Sequence, residues 1–302
     1  MRRRFSAGGV LHIYQRTISG FNIFYSLEDF LVFYTIISVK AKIHKVCLMG
    51  LCFMVDHLHQ LASADSLSRI NDFVSESTSL YVREFNKRTG RKGPLFEQAF
   101  GSALKTEFKK IRSAIAYLFN NPVEKMLCTS AEQYRWNFLA YYNPCRQKHT
   151  SFRHLSRALK RAKNIVDFRY KENKHLKYAT LELLFKGLNA DEREVLINYI
   201  IGRYLPFDIE KTRKYYRSYD DMVIAINSNT GSEHELTEYH YCKSDLPYRD
   251  ILSCLKSHGI KDVHEVLTAK ENVKKKLFAL LRSKTSATST QIRKFLHMAC
   301  ST

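Results

Sequence analysis

Two histidines separated by one leucine, His57 and His59, close an apolar run that begins at Lys45 (KVCLMGLCFMVDHLH). The length of the run and its Val, Cys, Phe and Met content predict one strand buried on both faces, at the centre of a sheet. Side chains alternate along a strand, so His57 and His59 share one face and Leu58 points to the other. Two imidazoles about 6–7 Å apart on a rigid strand can hold one metal ion between them. The spacing alone is a weak signal. With 12 histidines in 302 residues, chance yields about half an H-x-H per chain, so an incidental pair is the competing reading.

A tyrosine stands on the next helix of interest. Phe108 to Pro122 (FKKIRSAIAYLFNNP) has helical spacing, with Phe108, Ile111, Ile115, Leu118 and Phe119 on one stripe and Pro122 expected to stop or bend it. At 100° per residue Tyr117 falls away from that stripe, on the side of Ser113 and Asn121. It is therefore expected on display, where a core tyrosine would sit on the stripe.

Other elements must position these groups. Gly9 to Ile18 reads as a first strand. Leu27 to His44 reads as a helix with acids in its first turn and lysines in its last. Asp65 is the expected N-cap of a second helix carrying Leu67, Ile70, Phe73 and Val74 and continuing toward Asn86. Lys87 to Pro94 is a basic Gly/Pro loop, and Leu95 to Lys105 a third strand weakened by Gly101. The alternation of strand and helix predicts an α+β layer structure. From about residue 146 onward the chain reads as mostly helical, with Asn189 and Glu192 forming a capping box. Gln291 to Met298 is a last short helix compatible with part of a helix-turn-helix.

Composition narrows the partners. Lys+Arg 49 against Asp+Glu 29 gives a net charge of +20, a field that attracts polyanions, with nucleic acid first and anionic membrane second. Seven scattered cysteines without a C-x-x-C read as reduced thiols of a cytoplasmic protein. The basic start, MRRRFSAGG, has no apolar region ending in a cleavage site. No window approaches 18 uninterrupted apolar residues, so no membrane span is expected.

Taken together these signals resemble a known family. An H-x-H pair with an apolar middle residue, followed about 60 residues later by a tyrosine on a helix, resembles the HUH endonucleases. Residues 1–145 resemble the REP-associated branch of the single-tyrosine HUH transposases. The matching pieces are GVLHIYQR from Gly9, LCFMVDHLH from Leu51, YVREFNKRTGRKGPLF from Tyr81, YLFNNPV from Tyr117 and YRW from Tyr134. The chain departs from the family at Val55-Asp56, where Pro-Asn is usual, at Gly93-Pro94, where Gly-His is frequent, and at Asn121, where Gln is common.

The resemblance implies a ferredoxin-like or RRM-like antiparallel sheet with packed helices (the HUH fold) over 1–145. Over 146–302 a basic helical extension follows, with hairpin binding, target choice or homodimer formation as candidate roles. It implies a metal site of His57, His59 and Asn121 for Mg²⁺ or Mn²⁺, and Tyr117 as the nucleophile that becomes a 5′-phosphotyrosine. It also implies single-stranded, hairpin-forming DNA as substrate. Arg88, Arg91 and Lys92 in the loop, and Lys109, Lys110 and Arg112 beside the tyrosine, are the candidate phosphate contacts. The rival reading is a domesticated, non-catalytic nucleic-acid-binding protein that retains this fold.

Overall fold

The computed structural model describes residues 4–97, 100–143, 156–228 and 244–298. The apolar run predicted as one strand is two. Strands β2 (Cys47–Phe53) and β3 (His57–Ser63) are antiparallel neighbours, with Cys52 opposite His59 and Phe53 opposite Leu58. The turn between them is closed by the Met54 N–H donating to the His57 carbonyl at 2.9 Å. A single strand of that length would span about 50 Å and leave its ends beyond any neighbour. Folding back at Val55-Asp56 gives both halves a partner. The histidines therefore open a strand rather than end one.

The sheet order is β2-β3-β1-β4, with β1 (Val10–Arg16) and β4 (Gly101–Lys105), and every pair is antiparallel. Helix α1 (Leu27–Ile43) joins β1 to β2 and α2 (Leu67–Thr89) joins β3 to β4. This is the βαββαβ order of a ferredoxin-like fold, as expected. Ser26 and Asp29 cap α1 reciprocally. At α2 the cap is Ser66, whose hydroxyl accepts from the Arg69 N–H. Asp65, the expected cap, pairs instead with the Arg69 guanidinium at 2.5 Å. The strand expected over 95–105 is confined to Gly101–Lys105, with Phe96 making one isolated bridge to Thr17. Residues 98 and 99 of that expected strand lie outside the described residues.

One face of the sheet is sealed by aromatic packing against α1 and α2, where Phe33 stacks on Tyr81 at 4.1 Å and on Phe53 at 5.3 Å. Helix α3 (Phe108–Glu124), the tyrosine helix, covers the other face and contains Pro122 instead of ending at it. Its last turn closes with the Lys125 N–H donating to the Asn121 carbonyl at 3.0 Å. The aromatic segment from Arg135 to Tyr142 is a pair of 3₁₀ turns separated by Phe138 at φ 64°. Asn137 fixes that break, donating to the carbonyls of Phe119 and Ala131 and accepting from the Leu139 N–H.

The later chain is mostly helical, as predicted. It comprises α4 (Arg157–Lys171), α5 (Tyr178–Phe185), α6 (Ala190–Arg203), α7 (Ile209–Arg213), α8 (Tyr219–Asn227), α9 (Pro247–Ser257), α10 (Glu271–Lys284) and α11 (Ser289–Leu296). The capping box of Asn189 and Glu192 is present. The expected boundary at 145/146 lies outside the described residues. On both sides of it the chain contributes to one continuous core. The Tyr34 hydroxyl donates to the Ile201 carbonyl at 2.8 Å and Thr212 to the Met49 carbonyl at 2.9 Å. Among the described residues no helix is long and apolar enough to cross a membrane. Cys47, Cys52, Cys128 and Cys254 are free thiols, and Cys145, Cys242 and Cys300 lie outside the described residues.

A buried ionic latch ties α1 to the later chain. The fully buried Asp29 accepts the Tyr25 and Ser26 N–H groups, the Tyr178 hydroxyl at 2.7 Å and His264 Nε2 at 2.9 Å. His264 Nδ1 lies 2.9 Å from Asp262, which also pairs with Arg88 at 2.6 Å. Burial works to lower the His264 pKa, but Asp29 and Asp262 outweigh it and the net shift is upward. A histidine with a raised folded pKa adds stability that is complete below its unfolded pKa of about 6.5 and is lost as pH rises through the folded value. Urea midpoints should therefore fall as pH rises above about 6.5, and fall less steeply in His264→Gln. Parallel slopes for the two proteins would show that the latch is neutral throughout.

Candidate active site

β1 and β3 are adjacent, so their register decides which groups meet. Tyr14 lies opposite His59 and Arg16 opposite His57, which puts all four on the face that α3 covers, with His12 two residues along. Tyr117 comes down onto that face. Its ring centroid is 5.7 Å from that of His59 and 5.8 Å from that of His12. His57 and His59 are 5.1 Å apart, edge to face. Tyr117 is only 3% exposed, against the expectation that it is displayed. The reason is that α3 is enclosed on several sides, packing on the sheet and on α8, so every residue from Ala114 to Pro122 is buried.

The imidazoles are oriented by their neighbours. Asp56 Oδ1 lies 2.6 Å from His57 Nδ1, which fixes the protonated nitrogen and leaves Nε2 on the far edge of the ring. Burial works to raise the Asp56 carboxyl, but the hydrogen bond and charge of His57, with Lys294 beyond, bring it down to about 2. His59 Nδ1 lies 3.1 Å from His12 Nε2, a contact that needs one donor and one acceptor. His12 is fully buried. Tyr14 stacks on His59 at 6.2 Å with Arg16 over its outer face at 5.1 Å. Gly101 makes room for that ring, since a Cβ there would lie 2.2 Å from Tyr14. The glycine that weakens β4 is what the stack requires.

Asn121 sits one turn after Tyr117, with its Nδ2 donating to the Tyr117 carbonyl at 3.1 Å. Its Oδ1 is buried and has no hydrogen-bond partner among the described residues. No group of three or more His, Cys, Asp or Glu side chains able to hold a metal ion occurs among the described residues. A divalent ion here would rest on two imidazoles and an oxygen donor of another kind. The Asn121 amide oxygen is of that kind; imidazole ligation suits Zn²⁺ as readily as Mg²⁺ or Mn²⁺, so the donor set fits a divalent ion and does not choose between them.

The six basic candidates separate into two groups. Arg88 is engaged by Asp262, and Arg91 closes its own loop on Asn86, Gly93 and Pro94. Lys92 and Lys109 are exposed. Lys110 bridges to Glu107 at 2.8 Å, and Arg112 lies over the Tyr216 ring at 5.1 Å. His12, Tyr14, Asp56 and Lys294 were not singled out from the sequence. His12 and Tyr14 carry a legible signal, polar residues at every second position of a strand, but which face they share depends on pairing with β3.

No family model matches this chain, and no curated protein matches it. Among solved structures it is similar to a REP-associated tyrosine transposase bound to a REP hairpin, at 15% identity, with TM-score 0.37. The match covers 45% of this chain and 79% of that one. At that level the likeness assigns neither a residue nor an activity, and those rest on the geometry of the histidine face.

Proposed function

We propose that this protein is a metal-dependent, single-tyrosine nickase and strand transferase acting on single-stranded, hairpin-forming DNA. The observation that carries the reading is the packing of Tyr117 on His59, with His57 beside them and both imidazoles oriented through Nδ1. In this reading the Tyr117 oxygen attacks a backbone phosphorus in line. A P–O bond forms to tyrosine, the P–O3′ bond breaks, and the departing strand leaves as a 3′-OH after taking up a proton. The 5′ phosphate stays on Tyr117, and attack by another 3′-OH re-forms a phosphodiester with tyrosine as leaving group. One phosphoester replaces another at each step, so no nucleotide cofactor is consumed. Mg²⁺ or Mn²⁺ bound by His57, His59 and Asn121 would supply Lewis-acid polarisation of the phosphate and favour the phenolate of a group whose ordinary pKa is about 10. Lys92, Lys109, Lys110 and Arg112 offer cations to the DNA backbone. Arg91 acts in part by shaping its loop, and Arg88, at the end of α2, is held by Asp262.

The burial of Tyr117 favours a second reading, a DNA-binding protein that keeps the fold without turnover. Labelled single-stranded hairpins incubated with protein and Mg²⁺ or Mn²⁺, then run on a denaturing gel, separate the two. The nickase leaves label on the protein through boiling, and only when metal is present. His57→Ala combined with His59→Ala should remove the adduct and its metal dependence together. Tight hairpin binding with no adduct under any metal would establish the binding protein instead.

A further inference from the structure

Helix α11 docks against the loop that follows β1. The Asn22 N–H donates to the Lys294 carbonyl at 3.3 Å, the Tyr25 hydroxyl donates to the Phe295 carbonyl at 2.9 Å, and His297 Nε2 lies 2.8 Å from the Asn22 carbonyl. Ile292, Phe295 and Leu296 are buried, enough apolar surface to hold a short helix in place. Lys294 is buried with them, at 5% exposure. Its stem crosses Gly20, where a Cβ would lie 2.6 Å from Nζ, and Nζ ends 3.5 Å from Asp56 Oδ2. The other oxygen of that carboxylate holds His57 Nδ1 at 2.6 Å. Burying a lysine is expensive unless it is paired, and here the pair is made with the group that orients the imidazole. Asp245, also buried, donates its N–H to the Lys125 carbonyl at 3.0 Å. It lies close enough to Asp56, His57, Lys125 and Lys294 for their charges to act on it. The later chain thus brings both a cation and a carboxyl to the outer side of the histidine site.

We propose that Lys294 is a positioning residue of the histidine site: it fixes Asp56, and through Asp56 the ring of His57, so the site is complete only when α11 is docked. The inference rests on His57 and His59 being metal ligands. Its sign separates it from simple electrostatics. Removing a positive charge near a cation site should tighten cation binding by Coulomb's law, whereas releasing Asp56 should weaken it, as loss of an outer-shell partner does.

Mn²⁺ binding to the full chain, measured by titration calorimetry, reads this directly, with circular dichroism as the check on folding. Lys294→Met should weaken Mn²⁺ binding about tenfold, and Lys294→Arg, which keeps the charge and a donor, should bind like wild type. In an Asp56→Asn background Lys294→Met should change the affinity no further, because its route of action is already gone. Folded Lys294→Met with wild-type or tighter binding would overturn the proposal while leaving the metal site intact. Absence of Mn²⁺ binding in the wild type would overturn the metal site itself, and the positioning role with it. Should Lys294→Met not fold, Lys294→Gln in the same double-mutant comparison takes its place, with weaker binding expected and unchanged or tighter binding overturning the proposal.

Discussion

Tyr117→Phe is expected to abolish covalent DNA capture, by about 10³-fold or more, while hairpin affinity and stability change little. The substitution removes one oxygen and keeps the ring that packs on His12 and His59, so the helix seat and the basic surface survive. Adduct formation and filter binding, measured on the same oligonucleotides, check the two halves of the expectation. Wild-type capture by Tyr117→Phe would require another nucleophile. Tyr14, stacked on His59, is the alternative on the histidine face, whereas Tyr81 and Tyr134 are poorly placed for that. Tyr81 donates its hydroxyl to the Ile23 carbonyl and Tyr134 to the Phe53 carbonyl, both at 2.9 Å. Burial pushes both phenols well above the ordinary range, which opposes the phenolate that attack requires.

Asp29→Ala should be among the most damaging single changes to stability, costing about 3–5 kcal/mol. The carboxylate serves two N–H groups at the start of α1, the Tyr178 hydroxyl and His264 at once. Truncation leaves all of them without that acceptor in a site closed to water. Asp29→Asn keeps an acceptor oxygen and should cost less. Urea unfolding at about pH 6, where the His264 contribution is present, is the measurement. A loss below about 1 kcal/mol for Asp29→Ala would mean that water or a neighbour replaces the carboxylate, and the latch would be incidental to the fold.

Local signals made most of the fold legible. The acids and lysines at the ends of α1, the capping box at α6 and the alternation of strands and helices are short-range properties, and each is present in the structure. The site was legible only where its residues are neighbours in sequence. His57 and His59 announce themselves by spacing. His12 does not, because its contact with His59 depends on the register of two strands separated by 47 positions. The length of the apolar run concealed the turn at Val55-Asp56, since two buried strands and one long strand have the same composition. That turn makes Asp56 the partner of His57, so a residue that looked like a departure from a pattern orients a ring. Helical periodicity placed Tyr117 off the apolar stripe correctly but could not show that α3 is covered on that side as well. Arg88 read as a free cation because Asp262, 174 positions away, is invisible at that range.

The docking of α11 also sets an order of events during synthesis. Lys294 meets Asp56 across 238 positions, and Phe295 meets Tyr25 across 270. Sheet and tyrosine helix leave the ribosome long before these partners exist, and such distant contacts form late. A nascent chain therefore carries its histidines and tyrosine with Asp56 unrestrained. If Asp56 must be held for the proposed metal site to form, that site is assembled only once α11 has been translated and docked.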